Sequence, residues 1–267
     1  MTQFHVWSGP HSDYSRPAVR RIGVADVFDA LKAGARDFNE KPSHYVFLAM
    51  IYPVVGILLM AWAAGAELLP LLFPLASGFA LIGPFAAIGL YEISRRRERG
   101  LGTQGRDIWA LRHSPALPSM LALGVMLAIV FVLWMVTAQG IYTAHFGEAP
   151  PTSVGAFMGD LLSTEAGWSM VFQGMLAGFC FAVVVLACTV IAFPMMLERD
   201  CGAACAIETS VRATMANPGP IALWGLIVAA MLTIGFIPLM VGLIVTMPIL
   251  GHATWHLYRK LVARPAR

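Results

Sequence analysis

Two histidines stand four residues apart in GHATWHLYRK, residues 251–260. On a helix, that spacing sets the imidazoles of His252 and His256 on one face, where two nitrogens can begin a metal site. A structural site usually needs four ligands and a catalytic one needs three plus water. The acids that could complete the set are Glu92 in LYEISRR and Glu198 in PMMLERD, so a His–Glu cluster at one membrane mouth is one reading. The other is an interfacial belt. Trp255 and Tyr258 suit the headgroup level, Arg259 and Lys260 reach water, and the histidines bond between helices. Glu92 and Glu198 are each followed by arginine (Arg95 to Arg97, and Arg199), which offers ion pairs at helix ends, with a gate as the alternative. Cys201 and Cys205 share a helix face with Glu208 and Arg212, but C-x-x-x-C is not the C-x-x-C of redox or zinc motifs. Two small, partly buried thiols are expected there, with no metal and no cofactor.

Other chemistry is missing from the sequence. It contains no phosphate loop, no G-x-S-x-G and no H-E-x-x-H. No Asp, Glu, Lys or Arg falls in the middle of an apolar run, where a charge costs about 2.5–3.5 kcal/mol and marks an ion or proton path. The expectation is a protein that is not an enzyme, a proton-coupled pump or a voltage sensor.

The elements that must position these residues are membrane helices. Of the 267 residues, 58% are hydrophobic and 12% charged, and the mean hydropathy is +0.72. A spanning helix needs about 20 apolar residues in a row. Six runs qualify: 44–66, 68–91, 119–142, 168–196, 220–236 and 238–257. The last two form a tight hairpin or a kinked pair of half-helices. The hairpin is favoured, because a continuous helix would reach roughly 57 Å, nearly twice the hydrocarbon thickness.

All 18 Lys and Arg fall before residue 42, in 95–112, in 199–212 or after 258, and the alternate connecting segments hold none. This positive-inside pattern predicts six spans with both termini cytoplasmic in an inner membrane. The net charge of +3 then matches anionic headgroups rather than nucleic acid. Cys180 and Cys188 lie within a span, Cys201 and Cys205 on the reducing side, so no disulfide is expected. The organisation reads as a disordered tail over 1–23, one six-span domain over 24–262 and a C-terminal end over 263–267.

The fold expected is an all-α polytopic bundle of three repeats, each an amphipathic helix followed by an apolar hairpin. The repeats align at Pro42, Pro115 and Pro218, and each returning helix carries a late proline that bends it: Pro84, Pro194 and Pro248. In the first amphipathic stretch Val24, Val27, Phe28, Leu31, Ala35 and Phe38 recur at helical spacing, with Asp29, Lys32, Arg36 and Asp37 largely away from them. In the third the stripe is Ala204, Ile207, Val211 and Met215. Such helices brace the bundle at the headgroup plane, or else dock a protein or sense lipid. The outer segment 143–167 holds a short helix capped by Thr152 or Ser153. Gly174 and Gly178 form a G-x-x-x-G helix-packing face.

The runs IGPFAAIGLYEISRRRERG, PMMLERD, SVRATMANPGPIALWG and PLMVGLIVTMPILGHATWHLYRKLV resemble a bacterial family of integral membrane proteins of unknown function, domain of unknown function 2189. The resemblance covers residues 30–262, with LYEISRR, ANPGP and GHATWHLYR its strongest motifs. It implies no catalytic residue. A label on some members links them to cytochrome c oxidase subunit I, which implies association only. That subunit holds haems and copper on several span histidines, whereas of the seven here only His252 and His256 lie near a membrane interior. The function expected is a non-enzymatic accessory or assembly protein of a membrane complex, a respiratory one if the label on some family members is followed. The alternative is a transporter or channel for a small neutral or lipid-like solute, suggested by bent helices at matching places in repeats.

Overall fold

The computed structural model describes residues 17–40, 52–60, 69–71, 73–77, 83–84, 87–103, 110–199, 201–238 and 241–264. Its principal helices are α1 (Val24–Glu40), α2 (Ile88–Glu98), α3 (Leu117–Phe146), α4 (Val154–Ser163), α5 (Glu165–Thr189), α6 (Ala192–Glu198), α7 (Gly202–Ala216), α8 (Pro218–Phe236) and α9 (Leu243–Leu261). Among the described residues, three helical stretches are long and apolar enough to cross a bilayer: α3, α5 continued by α6, and α8. They coincide with the third, fourth and fifth expected spans. The first two expected spans are described only in part, the first over 52–60 and the second over 69–71, 73–77, 83–84 and 87–91. The sixth, expected over 238–257, is the helix α9, shifted toward the C-terminus, and it does not join the three.

Proline and polar residues set the helix ends. Ser153 caps α4, its Oγ accepting from the Ala156 N–H at 3.1 Å. Pro218 opens α8, where a missing N–H costs nothing. Pro194 cannot donate to Val190 four residues back, and the chain breaks at Val190–Ile191 between α5 and α6 instead of merely bending. Pro248 lies inside α9. Pro84 sits in helical backbone at 83–84, and residues 85–86 beyond it are outside the described set.

Within the stretch expected as one domain the chain divides into two compact units, one drawn from residues 1–53, 83–125 and 186–267, the other from 54–82 and 126–185. In the second unit Trp134 is the centre. It packs with Leu71, Ala138, Phe131, Met135, Ala177 and Phe181, and its indole N–H lies 3.1 Å from both the Pro74 carbonyl and Ser77 Oγ. Gly178 meets this ring, since a β-carbon there would stand 3.3 Å from Trp134. Among the described residues nothing lies within 4 Å of a β-carbon on Gly174, and of the G-x-x-x-G pair only Gly178 makes a contact there. Phe157 of α4 packs edge-on to Tyr142 and Phe146.

The first unit is built around α9, against which α1, α2, α6 and α8 all pack. The connection from α8 to α9 is a hairpin. Asn217, just before α8, accepts from the Ile22 N–H at 2.8 Å and donates to the Arg20 carbonyl at 3.0 Å. The Arg20 N–H in turn donates to the carbonyl of Leu261, the last residue of α9. The start of α8 and the end of α9 therefore share one end of the unit. At the turn the two helices close on Gly235 and Gly242, where a β-carbon on Gly242 would lie 2.8 Å from the Gly235 Cα. The last residues of the expected tail are placed too: Val19 bridges Val262, and the Ala263 N–H reaches the Ala18 carbonyl at 3.1 Å.

The amphipathic helices pack within the first unit, α1 on α9 and α7 on α6 and α8, through small residues and only part of the apolar stripe. Helix α1 buries Val27, Ala30, Gly34 and Asp37 and leaves Val24 and Phe28 exposed. Helix α7 buries Gly202, Ala203, Ala206, Thr209, Ser210 and Ala213 and leaves Met215 exposed. Small residues line the inward faces because the helix axes come close there. The β-carbon of an alanine at position 34 would stand 2.5 Å from the Ala253 backbone nitrogen.

Candidate functional site

The second half of α9 is enclosed. His252, Ala253, Trp255, Leu257, Tyr258 and Leu261 are all buried, because α1, α2 and α6 pack around this segment. The interfacial-belt reading of GHATWHLYRK therefore gives way to a buried polar hub. Trp255 and Tyr258 do not face headgroups. The indole N–H donates to Glu98 Oε2 at 3.1 Å and the phenol to Glu198 Oε2 at 2.5 Å. A carboxylate only accepts, so the Tyr258 phenol is the donor of this pair.

On one side of the hub the two histidines converge on Asp37 of α1. His256 Nε2 lies 3.0 Å from Asp37 Oδ2, and Ser94 of α2 donates to the same oxygen at 2.6 Å. His252 Nδ1 is 2.6 Å from Ser94 Oγ and 3.9 Å from Asp37 Oδ2. Proton counting assigns the tautomers. Ser94 has one hydrogen and gives it to Asp37, so His252 must carry its proton on Nδ1 and donate to Ser94. An ionised Asp37 accepts only, so His256 donates from Nε2. The result is a directed chain in which His252 donates to Ser94, Ser94 to Asp37, and His256 to Asp37 from the other side. Arg97 adds a charge 3.4 Å from Asp37 Oδ1, donates to the Asp37 carbonyl at 2.9 Å and pairs with Glu40. Burial alone would raise the Asp37 carboxyl, but hydrogen bonds from His256 and Ser94 outweigh it and hold the group below the ordinary carboxylate value.

On the other side Arg259 forks between two acids. Its Nη2 is 3.0 Å from Glu98 Oε1 and its Nη1 is 2.8 Å from Glu198 Oε1, with the guanidinium 6.0 Å from the Trp255 ring centre. Glu198 thus pairs with Arg259 across the fold rather than with its neighbour Arg199, which reaches the Ala263 carbonyl. Glu92 is held within α2 by Arg95 at 2.6 and 2.8 Å and by Arg96 at 3.7 Å. Lys260 is held to Asp26 and Asp29 at 2.8 and 3.3 Å.

The four residues expected as one inner-face cluster therefore separate into three groups: His252 with His256, Glu198 with Arg259 and Tyr258, and Glu92 with Arg95. The partners that sequence reasoning missed are Asp37, Ser94, Arg97 and Glu98. A signal for Asp37 exists in the small-residue stripe Ala30–Gly34–Asp37, which marks the face of α1 that a second helix approaches closely. Among the described residues no three His, Cys, Asp or Glu side chains gather as metal ligands. The arrangement is also not a hydrolytic triad. Ser94 gives its proton to the carboxylate, so no imidazole is placed to activate its oxygen.

A helical fold with three long lipid-compatible helices and an internally bonded polar hub defines an integral membrane protein. Residues 72–198 match the family model described as a predicted integral membrane protein, domain of unknown function 2189. This is the family that the chain's motifs resemble. LYEISRR lies inside the matched stretch and PMMLE ends it, while ANPGP and GHATWHLYR follow it. No curated protein and no solved structure matches the chain.

Proposed function

We propose that the chain is a non-enzymatic accessory or assembly protein of a membrane complex, held in a bacterial inner membrane by six spans with both termini cytoplasmic. One observation carries this reading: the polar hub is closed on itself. Asp37 is bonded by Ser94 and His256, Glu198 by Tyr258 and Arg259, and Glu92 by Arg95, which is an arrangement for rigidity rather than turnover. The surface left for partners is apolar, including Leu121, Val125, Val132 and Val136 on α3 and Trp168, Phe172, Met175 and Phe179 on α5. In a bilayer such faces meet lipid or other helices.

The test is co-purification from gently extracted native membranes through a C-terminal tag, with co-eluting proteins quantified by mass spectrometry. A stoichiometric membrane complex is the expected outcome, and a respiratory one would agree with the family resemblance. A chain that elutes alone would overturn the accessory reading. It would favour the alternative of a transporter for a small neutral or lipid-like solute, for which the break before Pro194 and the proline inside α9 are the cue.

A further inference from the structure

Helices α1 and α7 share a three-sector design that a water-soluble brace does not need. Each buries a stripe of small residues. Each then carries an outward apolar stripe, with Val24 and Phe28 exposed and Leu31 and Ala35 half-buried on α1, and Ala204 and Met215 exposed and Ile207 and Val211 half-buried on α7. Phe28 is 44% exposed and Met215 76%. The third sector is charged. On α1 it carries Lys32 and Arg36, both exposed and without an ion pair among the described residues, next to Asp29, which faces Lys260. On α7 it carries Glu208 and Arg212.

A second observation fixes the level at which these stripes lie. Asn217 is where α7 ends and the candidate span α8 begins, and its side chain also bonds Arg20 and Ile22 just before α1. One amide thus ties the start of α1, the end of α7 and the entry of a span to a single depth, with Arg20 and Arg21 exposed beside it. At that depth an apolar stripe edged by unpaired cations meets a layer of acyl chains below and phosphates above.

We propose that α1 and α7 form an interfacial collar around the entry of α8, with their apolar stripes in the headgroup–acyl boundary and Arg20, Arg21, Lys32 and Arg36 engaging anionic phospholipid headgroups. The occupant of these faces is the bilayer itself. The inference rests on α8 crossing the membrane and stands apart from the question of protein partners.

The test uses the full chain alone in nanodiscs, in a background where Cys180, Cys188, Cys201 and Cys205 are replaced by serine or alanine. Spin labels at Phe28→Cys and Met215→Cys are expected to be accessible to oxygen and shielded from a water-soluble nickel relaxant, and a label at Lys32→Cys to show the reverse. Labels at 28 and 215 that remain fully accessible to nickel would overturn the collar. Amide exchange of wild-type α1 is then compared in discs of phosphatidylcholine alone and discs with one-third phosphatidylglycerol. A several-fold slowing by the anionic lipid, abolished in the Lys32→Gln/Arg36→Gln double variant, is expected. Buried labels with identical exchange in both discs would overturn the anionic-headgroup part.

Discussion

Gly34 of α1 and Ala253 of α9 meet backbone to backbone: a β-carbon on Gly34 would stand 2.5 Å from the Ala253 nitrogen and 2.7 Å from its Cα. The neighbour is main chain in mid-helix and cannot yield. Gly34→Ala is therefore expected to destabilise by about 1–3 kcal/mol through overpacking, despite the better helix propensity of alanine. Gly155→Ala on α4, where the added carbon meets nothing among the described residues, is the control and should be neutral or slightly stabilising. Thermal melting of the detergent-solubilised protein reads both, and equal melting temperatures would overturn the close crossing.

Asp37→Asn keeps the volume of the hub but replaces an acceptor with a donor where Ser94, His256 and Arg97 already donate. The expected loss is about 1–3 kcal/mol, the cost of buried polar groups left unmatched. Faster amide exchange confined to α1 and the end of α9 would locate it. Ser94→Ala should produce a smaller loss in the same segments.

The pH dependence of that effect has a definite sign. The Asp37 carboxyl is held below its ordinary value of 3.8 in the native fold. Its contribution is therefore complete above that ordinary value and is lost as the pH falls through the lower native one. The Asp37 carboxyl's own share of the stability difference between wild type and Asp37→Asn should shrink as the pH falls below about 4.

The two thiols at the start of α7 should react unequally. The neighbouring Cys201 thiol draws Cys205 below the ordinary thiol value, while Cys205 and burial push Cys201 up. Iodoacetamide is expected to label Cys205 first, with a rate that rises through neutral pH, and to leave Cys201 largely unmodified. Cys201→Ala should shift the rate profile of Cys205 to higher pH. Peptide mapping of the alkylated protein distinguishes the sites, and equal labelling would contradict this inequality.

The elements were legible in the sequence to different degrees. Helices α3, α5 and α8 stand where their apolar runs place them, because an uninterrupted run of span length has one low-energy conformation in a bilayer. Ser153 was legible as a cap, and the break at Val190–Ile191 follows from the missing N–H of Pro194. The facing of α1 and α7 was not. A hydrophobic stripe normally marks the buried side, but here glycine and alanine share that side with Val27 because the backbones approach closely, and Val24, Phe28 and Met215 turn outward.

The site was legible only as a set of residue types. Composition, charge placement and periodicity determined by themselves a helical membrane protein, with His252, His256, Glu92 and Glu198 near one end of its helices. Tertiary structure decided the pairings. Asp37 meets His256 across 219 positions of chain and Glu198 meets Arg259 across 61. Local spacing can express i to i+4 neighbours, as with Glu92 and Arg95. Which distant acid answers which base depends on the rotation of α1 about its own axis and on where the α8–α9 hairpin closes. Packing of the small faces sets both, and no local pattern encodes them.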